Sequence, residues 1–361
     1  MLDEKYLKSE EKIVFSLRKL YSKYGYLPFK MSKFEEYDLY AKNKEFLVSD
    51  SVITFTDTNG KLLALKPDVT LSIIKNVAEG KGIKQKVYYS ENVYRISGST
   101  SAYKEIMQTG LECIGDLDLY DLYEVIDLAA KSLESISKSY VLEISHMGIL
   151  SSVLNGVCAG ELFYEQVTDC IKKKSIHQLK ECLEEYGVDN SIFEILSTLI
   201  TTYGKPENVI PKLEKMNVNE GFKEAVMSLK ELCFLLCDNK NITLDFSIVN
   251  DMNYYNGIVF NGYIENVCEC VLFGGSYDNL LKKMGKNVSG IGFAIYTDLL
   301  SGLNKEKKGC DVDVLLLYND KASAKKVQEV VAWLISQGKS VSAQRSIPEG
   351  LRYKEIKEME G

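Results

Sequence analysis

No run of apolar residues in this 361-residue chain approaches the ~20 needed to span a bilayer. Its first ten residues, Met1-Leu-Asp-Glu-Lys-Tyr-Leu-Lys-Ser-Glu10, carry too much charge for a secretory signal. A cytoplasmic protein with no membrane partner is expected. A positive excess is missing as well. The net charge is −7, which argues weakly against a large polyanion as partner, although an acidic protein can still hold RNA on a local patch. The basic clusters Lys172-Lys-Lys174 and Lys305-Glu-Lys-Lys308 are short and read as solvated faces. Histidine is scarce, with only His146 and His177, so a histidine-based triad or a Cys/His zinc site has little to draw on. The nine cysteines are an odd number in a chain without a secretory signal, and reduced thiols are expected. Cys233 with Cys237, and Cys268 with Cys270, lack zinc-type partner groups and read as small buried apolar residues. No metal and no cofactor is expected.

What is present is the composition of an ordinary globular protein, 45% hydrophobic and 26% charged. The periodicity predicts an amphipathic helix over 3–24 and a hairpin of 52–57 and 61–66 around Asn59-Gly60. A helix opened by Pro67 and Asp68 follows, running to about Glu79. Two strands are predicted near 86–95 and 103–114, then a helix over 118–137 and a strand at 141–145. In the second of the two strands Ile106, Gln108, Gly110 and Glu112 share one face. Between about 148 and 240 the apolar spacing is helical throughout. Strands return at 242–249, 256–264, 267–273 and 290–296. Two runs of strands separated by helices predict one antiparallel sheet whose halves lie on either side of a helical insertion. Lys305–Gly309 reads as a linker. Beyond it a small unit of about 50 residues is predicted as β-α-β-α, its last helix spanning Leu351–Glu360. The expected domains are 1–304, containing the insertion, and 305–361.

Several segments carry a resemblance. They are Phe34-Glu-Glu-Tyr-Asp-Leu-Tyr40, Leu65-Lys-Pro-Asp-Val-Thr70, Val87–Arg95 with Tyr103–Gly115, Phe246–Phe260 with its Tyr254-Tyr255, and Phe273-Gly-Gly-Ser-Tyr-Asp-Asn-Leu280 followed by Gly290–Leu300. In this order they resemble the motifs of the histidyl-tRNA synthetase family over nearly the whole chain. The resemblance implies an α+β, class II aminoacyl-tRNA synthetase-like fold: an antiparallel sheet flanked by helices, a helical insertion, and a C-terminal α/β unit like the start of an anticodon-binding domain. It implies a histidine pocket at Asp68, Thr70, Arg95, Gln108, Glu112, Tyr254 and Tyr255. An ammonium group needs carboxylates or amide oxygens held in fixed geometry, which these residue types supply. Two other readings stay open. The buried polar residues pair with one another in an inherited fold, or Arg95 forms a structural salt bridge with one of the pocket acids.

The departures from the family pattern concern charge. Asn250, Ser276 and Leu299 stand where the family has arginines, and Ala102 where another arginine reaches the terminal phosphate. Lys66 replaces an arginine and Asn253 an aspartate. Loss of one preorganised contact to a transition state costs on the order of 10²–10³ in rate, so adenylation is expected to be negligible and no catalytic residue is assigned. A synthetase-like chain without adenylation groups resembles the regulatory subunits of ATP phosphoribosyltransferase, the first enzyme of histidine biosynthesis. That resemblance implies a non-catalytic, allosteric subunit with a homodimer core. It implies a short-form catalytic subunit as partner in a hetero-octamer, histidine as ligand, and no tRNA. The alternatives are a divergent histidyl-tRNA synthetase or another synthetase paralogue.

Overall fold

The apolar stripe near the start folds as helix α1 (Ser9–Lys23), which buries Val14, Leu17 and Tyr21. Gly25, at φ +80°, turns the chain out of it. The computed structural model describes residues 7–43, 47, 52–77, 80, 82–96, 102–155, 157, 160–249, 254–300, 303 and 310–359. The Lys305–Gly309 linker therefore lies outside the described residues. Two compact units divide the chain, Met1–Leu303 and Asn304–Gly361.

After α1 come β1 (Leu27–Pro28), β2 (Phe34–Glu36), α2 (Tyr37–Ala41), β3 (Thr54–Thr56), β4 (Leu62–Leu65) and α3 (Thr70–Lys75). Strands β2, β4 and β3 form a small antiparallel sheet. Its hairpin turn is held by Asp57, whose Oδ1 accepts the backbone N–H groups of Asn59 and Lys61, each at 2.8 Å. Then follow β5 (Lys84–Ile96), β6 (Tyr103–Gly115), α4 (Leu119–Ile136) and β7 (Tyr140–His146). Asp118 caps α4 through the N–H groups of Tyr120 and Asp121. The helical insertion comprises α5 (Met147–Leu154), α6 (Glu161–Lys172), α7 (Ile176–Glu185), α8 (Asn190–Thr201), α9 (Pro206–Leu213) and α10 (Glu220–Leu235), with a two-residue strand β8 (Tyr203–Gly204) inside it. The unit closes with β9 (Ile242–Asp245), β10 (Ile258–Ile264), β11 (Leu272–Ser276), α11 (Asp278–Lys283), β12 (Ser289–Tyr296) and a 3₁₀ turn, Thr297–Leu300.

Among the described residues the main sheet has the order β1-β5-β6-β12-β11-β10-β7-β9-β8. Its central run from β5 to β7 is antiparallel throughout. The expected wholly antiparallel sheet is corrected at the two ends, where β1 pairs β5 and β7 pairs β9 in parallel. The insertion between β7 and β9 supplies the long crossover that a parallel pair needs. The two-strand-run prediction holds, since β5, β6 and β7 precede the insertion and β9 to β12 follow it.

Alternation along the strands divides the sheet into two faces. Leu111, Cys113, Ile291, Phe293 and Ile295 join Val125, Ile126, Leu128 and Leu133 of α4 in the main core. Burying each such aliphatic side chain stabilises the fold by roughly 1.5–3 kcal/mol. The intervening residues Gln108, Gly110 and Glu112 face the opposite side. There a second core gathers Leu71, Ile73 and Ile74 of α3 with Tyr277, Leu280 and Leu281.

The second unit comprises β13 (Val312–Tyr318), α12 (Ala324–Ser336), β14 (Val341–Gln344) and β15 (Tyr353–Met359), with β13 central and both neighbours parallel to it. The helix predicted over Leu351–Glu360 is a strand. Its Lys and Glu residues favour a helix, but the free edge of Val312–Tyr318 offers a backbone ladder. Lys354 and Glu355 settle into ion pairs with Asp313 and Lys339, at 2.5 and 2.6 Å. No helix among the described residues is long and apolar enough to cross a membrane.

Candidate functional site

Strand β6 places Gln108 opposite Tyr296 and Glu112 opposite Gly292 of β12. The missing side chain at Gly292 is what admits the glutamate: a Cβ there would overlap the Glu112 carboxylate and the Leu111 carbonyl oxygen. Gly275 likewise makes room for Tyr255, whose Cδ1 would stand 2.6 Å from a Cβ. Over this part of the sheet opens a pocket of about 430 Å³.

All seven residues expected from the sequence line that pocket: Asp68, Thr70, Arg95, Gln108, Glu112, Tyr254 and Tyr255. Glu112 is 2% exposed. Its two oxygens accept from Thr70 Oγ1 at 2.9 Å and Tyr277 Oη at 2.6 Å. Burial nonetheless pushes the carboxyl up to about 8, the two hydrogen bonds and the neighbouring Asp68 being smaller influences. Asp68 precedes α3 and accepts from the Leu71 N–H at 2.9 Å. Burial raises it too, against the lowering effects of that bond and of the Arg95 charge. A cationic group beside these two carboxyls would lower both and be held by both.

Arg95 is buried. Its Nε donates to the Pro67 carbonyl at 3.0 Å and its Nη1 to Tyr296 Oη at 3.1 Å. The guanidinium is thus fastened to the pocket wall and acts on Asp68 through its field. Tyr254 and Tyr255 pack with ring centroids 4.5 Å apart, and Tyr254 lies 6.2 Å from Tyr277. The pocket offers acids and an amide, an aromatic side, and one anchored guanidinium, a set suited to a small molecule carrying a cationic nitrogen and a flat ring.

Sequence reasoning did not single out Tyr89, Phe273, Tyr277, Tyr296 and Lys172, which also line it. Alternation from Arg95 along β5 leads to Tyr89, and Tyr296 pairs with Gln108, so both were legible in principle. Nothing in the sequence pointed Lys172 here.

The positions where the resemblance expects arginine divide. Asn250, with Asn253, lies outside the described residues. Ser276 is buried on β11 but is not among the residues lining the pocket. Ala102 is exposed. Leu299 packs against the main core and lines a neighbouring pocket of about 580 Å³ that shares Phe273 and Tyr296 with the first. That neighbour holds one cation, Lys104, against Glu105, Glu269 and Asp298 among its described lining residues. Such a lining repels a phosphate chain. Lys66, also read as a departure, is fully buried in an ion pair with Glu91 at 2.5 Å. His146 caps α5, its Nδ1 accepting from the Gly148 N–H at 3.0 Å, and burial pushes it down to about 4, which keeps it neutral. Among the described residues no group of His, Cys, Asp or Glu could hold a metal ion.

The histidyl-tRNA synthetase family model matches residues 2–300. An ATP phosphoribosyltransferase regulatory subunit from Oceanobacillus iheyensis is 27% identical over 294 residues, covering 80% of this chain and 72% of that protein. Among solved structures, an ATP phosphoribosyltransferase regulatory subunit/histidyl-tRNA synthetase from Bacillus halodurans C aligns with a TM-score of 0.77 at 23% identity, over 97% of this chain and 93% of that one. A chain of the ATP phosphoribosyl transferase complex from Thermotoga maritima aligns with a TM-score of 0.63 at 22% identity, over 82% and 97%. At these identities the two structures establish a shared fold.

Proposed function

The chain belongs to the histidyl-tRNA synthetase family, and we propose that within it this protein is the regulatory subunit of ATP phosphoribosyltransferase, a cytoplasmic protein without chemistry of its own. It assembles with a short-form catalytic subunit into a hetero-octamer, is required for that partner's activity, and makes the assembly sensitive to histidine at the first step of histidine biosynthesis. The relatives that carry this name support the reading.

One observation carries it. The amino-acid seat is furnished with Asp68, Gln108, Glu112 and the tyrosines, while the described residues lining the adjoining space beside Leu299 include three acids and a single lysine. A seat for histidine beside a wall that repels triphosphate suits a sensor better than a ligase. Asp68, Thr70, Arg95, Gln108, Glu112, Tyr254 and Tyr255 hold the ligand. Binding then biases the partner because the ligand's affinity differs between the two states of the assembly. Phe34–Tyr40 contributes to a homodimer core, and the short C-terminal unit does not bind tRNA.

Two measurements test this. The purified chain should give no histidine-dependent ATP–pyrophosphate exchange above background. Added to a short-form catalytic subunit, it should produce phosphoribosyl transfer that histidine inhibits. Exchange at an ordinary turnover, or a catalytic subunit indifferent to the chain, overturns the reading.

A further inference from the structure

Three consecutive lysines end helix α6, and the structure treats them differently. Lys173 pairs with Asp169 at 2.6 Å. Lys174, in the left-handed region at φ +51°, pairs with Asp245 at 2.7 Å. Lys172 is exposed, has no charged partner among the described residues, and lines the 430 Å³ pocket. It also lines an adjoining pocket of about 470 Å³ that contains Glu143 and Asp245. Among the described residues neither acid is ion-paired to Lys172: Asp245 is matched by Lys174, and burial raises the Glu143 carboxyl.

Among the described residues lining the first pocket two are cationic: Arg95, which spends its Nε and one Nη1 hydrogen on Pro67 and Tyr296, and Lys172, which pairs with no charged side chain. An α-amino acid needs both signs of partner. Asp68, Glu112 and Gln108 serve its cationic end, and a carboxylate then needs a donor at the other. We propose that Lys172 is a ligand-binding residue that takes the α-carboxylate of an amino acid seated on Asp68 and Glu112. This rests on the amino-acid reading of the pocket. A lysine has the reach and the freely turning ammonium for such a contact. Because Lys172 belongs to the helical insertion while the acids belong to α3's entry loop and β6, the ligand's carboxylate ties the insertion to the sheet. Ligand occupancy is thereby felt by a part of the molecule outside the pocket.

Calorimetric titration of the full chain tests this with two probes, L-histidine and histamine, which lacks the carboxylate. Lys172→Ala should weaken L-histidine about tenfold or more, the scale of a charge-assisted hydrogen bond. It should leave histamine unchanged or slightly tighter, because a like charge has gone. Lys172→Arg should retain most of the L-histidine affinity, and Lys173→Ala all of it. Equal weakening of both probes, or no weakening of L-histidine, overturns the assignment of Lys172 and leaves the pocket reading intact. A wild-type chain that binds neither probe overturns the amino-acid reading and this inference with it.

Discussion

Tyr277 Oη donates to Glu112 Oε2 at 2.6 Å, joining residues 165 apart in the chain. Burial raises the phenol well above its usual range, so it stays a donor. Thr70 donates to the other oxygen. Two hydrogen bonds favour the ionised carboxylate, yet burial outweighs them and the group sits at about 8. An acid raised from 4.5 to about 8 keeps its proton in the folded chain over a range where the unfolded chain has lost it. Folding then takes up a proton, and stability falls as pH rises from 4.5 to 8, by up to about 1.4 kcal/mol per unit. Glu112→Gln mimics the protonated form and removes this slope, while the contribution of the same sign from Asp68 remains. Urea unfolding at pH 5 and pH 8 should show a larger loss for the wild type than for the variant. Equal losses would refute the buried neutral carboxyl.

The same carboxylate depends on what faces it. Gly292→Ala would place a methyl group against Glu112 and the Leu111 carbonyl, neither of which can withdraw without disturbing β6. Overpacking of this kind costs about 1–3 kcal/mol. The urea midpoint should fall accordingly, and binding of L-histidine should be lost or greatly weakened. A variant with wild-type stability and affinity would mean that the strand pair yields more easily than its register suggests.

How much of this was readable beforehand depends on which force set each feature. The period-2 pattern of β6 already put Gln108 and Glu112 on one face, and the tyrosine and Gly-Gly segments gave Tyr254, Tyr255 and the neighbourhood of Tyr277. The first is a local rule acting on backbone geometry; the second rests on the resemblance of those segments to the family's motifs. Lys172 was read as a solvated charge because sequence does not tell which of three adjacent lysines finds an acid, and that depends on where Asp169 and Asp245 come to lie. The strand at Tyr353–Met359 was read as a helix because its Lys/Glu content is a local signal, whereas the vacant edge of β13 is a tertiary one. The parallel pairing of β7 with β9 was hidden for a similar reason, since only the packed insertion decides on which side the chain returns.

Lys66 and Glu91 form the most buried ion pair described, the lysine side chain being 1% exposed and the glutamate 18%. Their net value against an apolar pair is small, but breaking one partner strands the other. Lys66→Met should therefore destabilise the fold by about 2–3 kcal/mol, less than for a fully buried acid because Glu91 retains some water. Lys66→Met with Glu91→Leu should recover most of the loss. A double-mutant cycle from urea denaturation measures the coupling; additive single effects would show that the pair contributes no mutual stabilisation.

The only tryptophan of the chain, Trp333, lies on α12, and the Lys357 ammonium of β15 sits 5.4 Å from its ring centroid. Its emission thus reports the second unit alone, while most of the helix signal in circular dichroism comes from the first. Leu315, at the centre of β13, is fully buried. Leu315→Asp places an unpaired carboxylate there, a cost that a unit of about 50 residues with marginal stability cannot absorb. Trp333 is already 56% exposed, so the readout is the loss of the cooperative urea transition in its emission. The far-UV signal should keep a single urea transition close to the wild-type midpoint, and L-histidine should bind as before, since every described residue lining its pocket belongs to the first unit. Collapse of both signals together would mean that the two units fold as one, and that the contact boundary near residue 303 does not separate their stabilities.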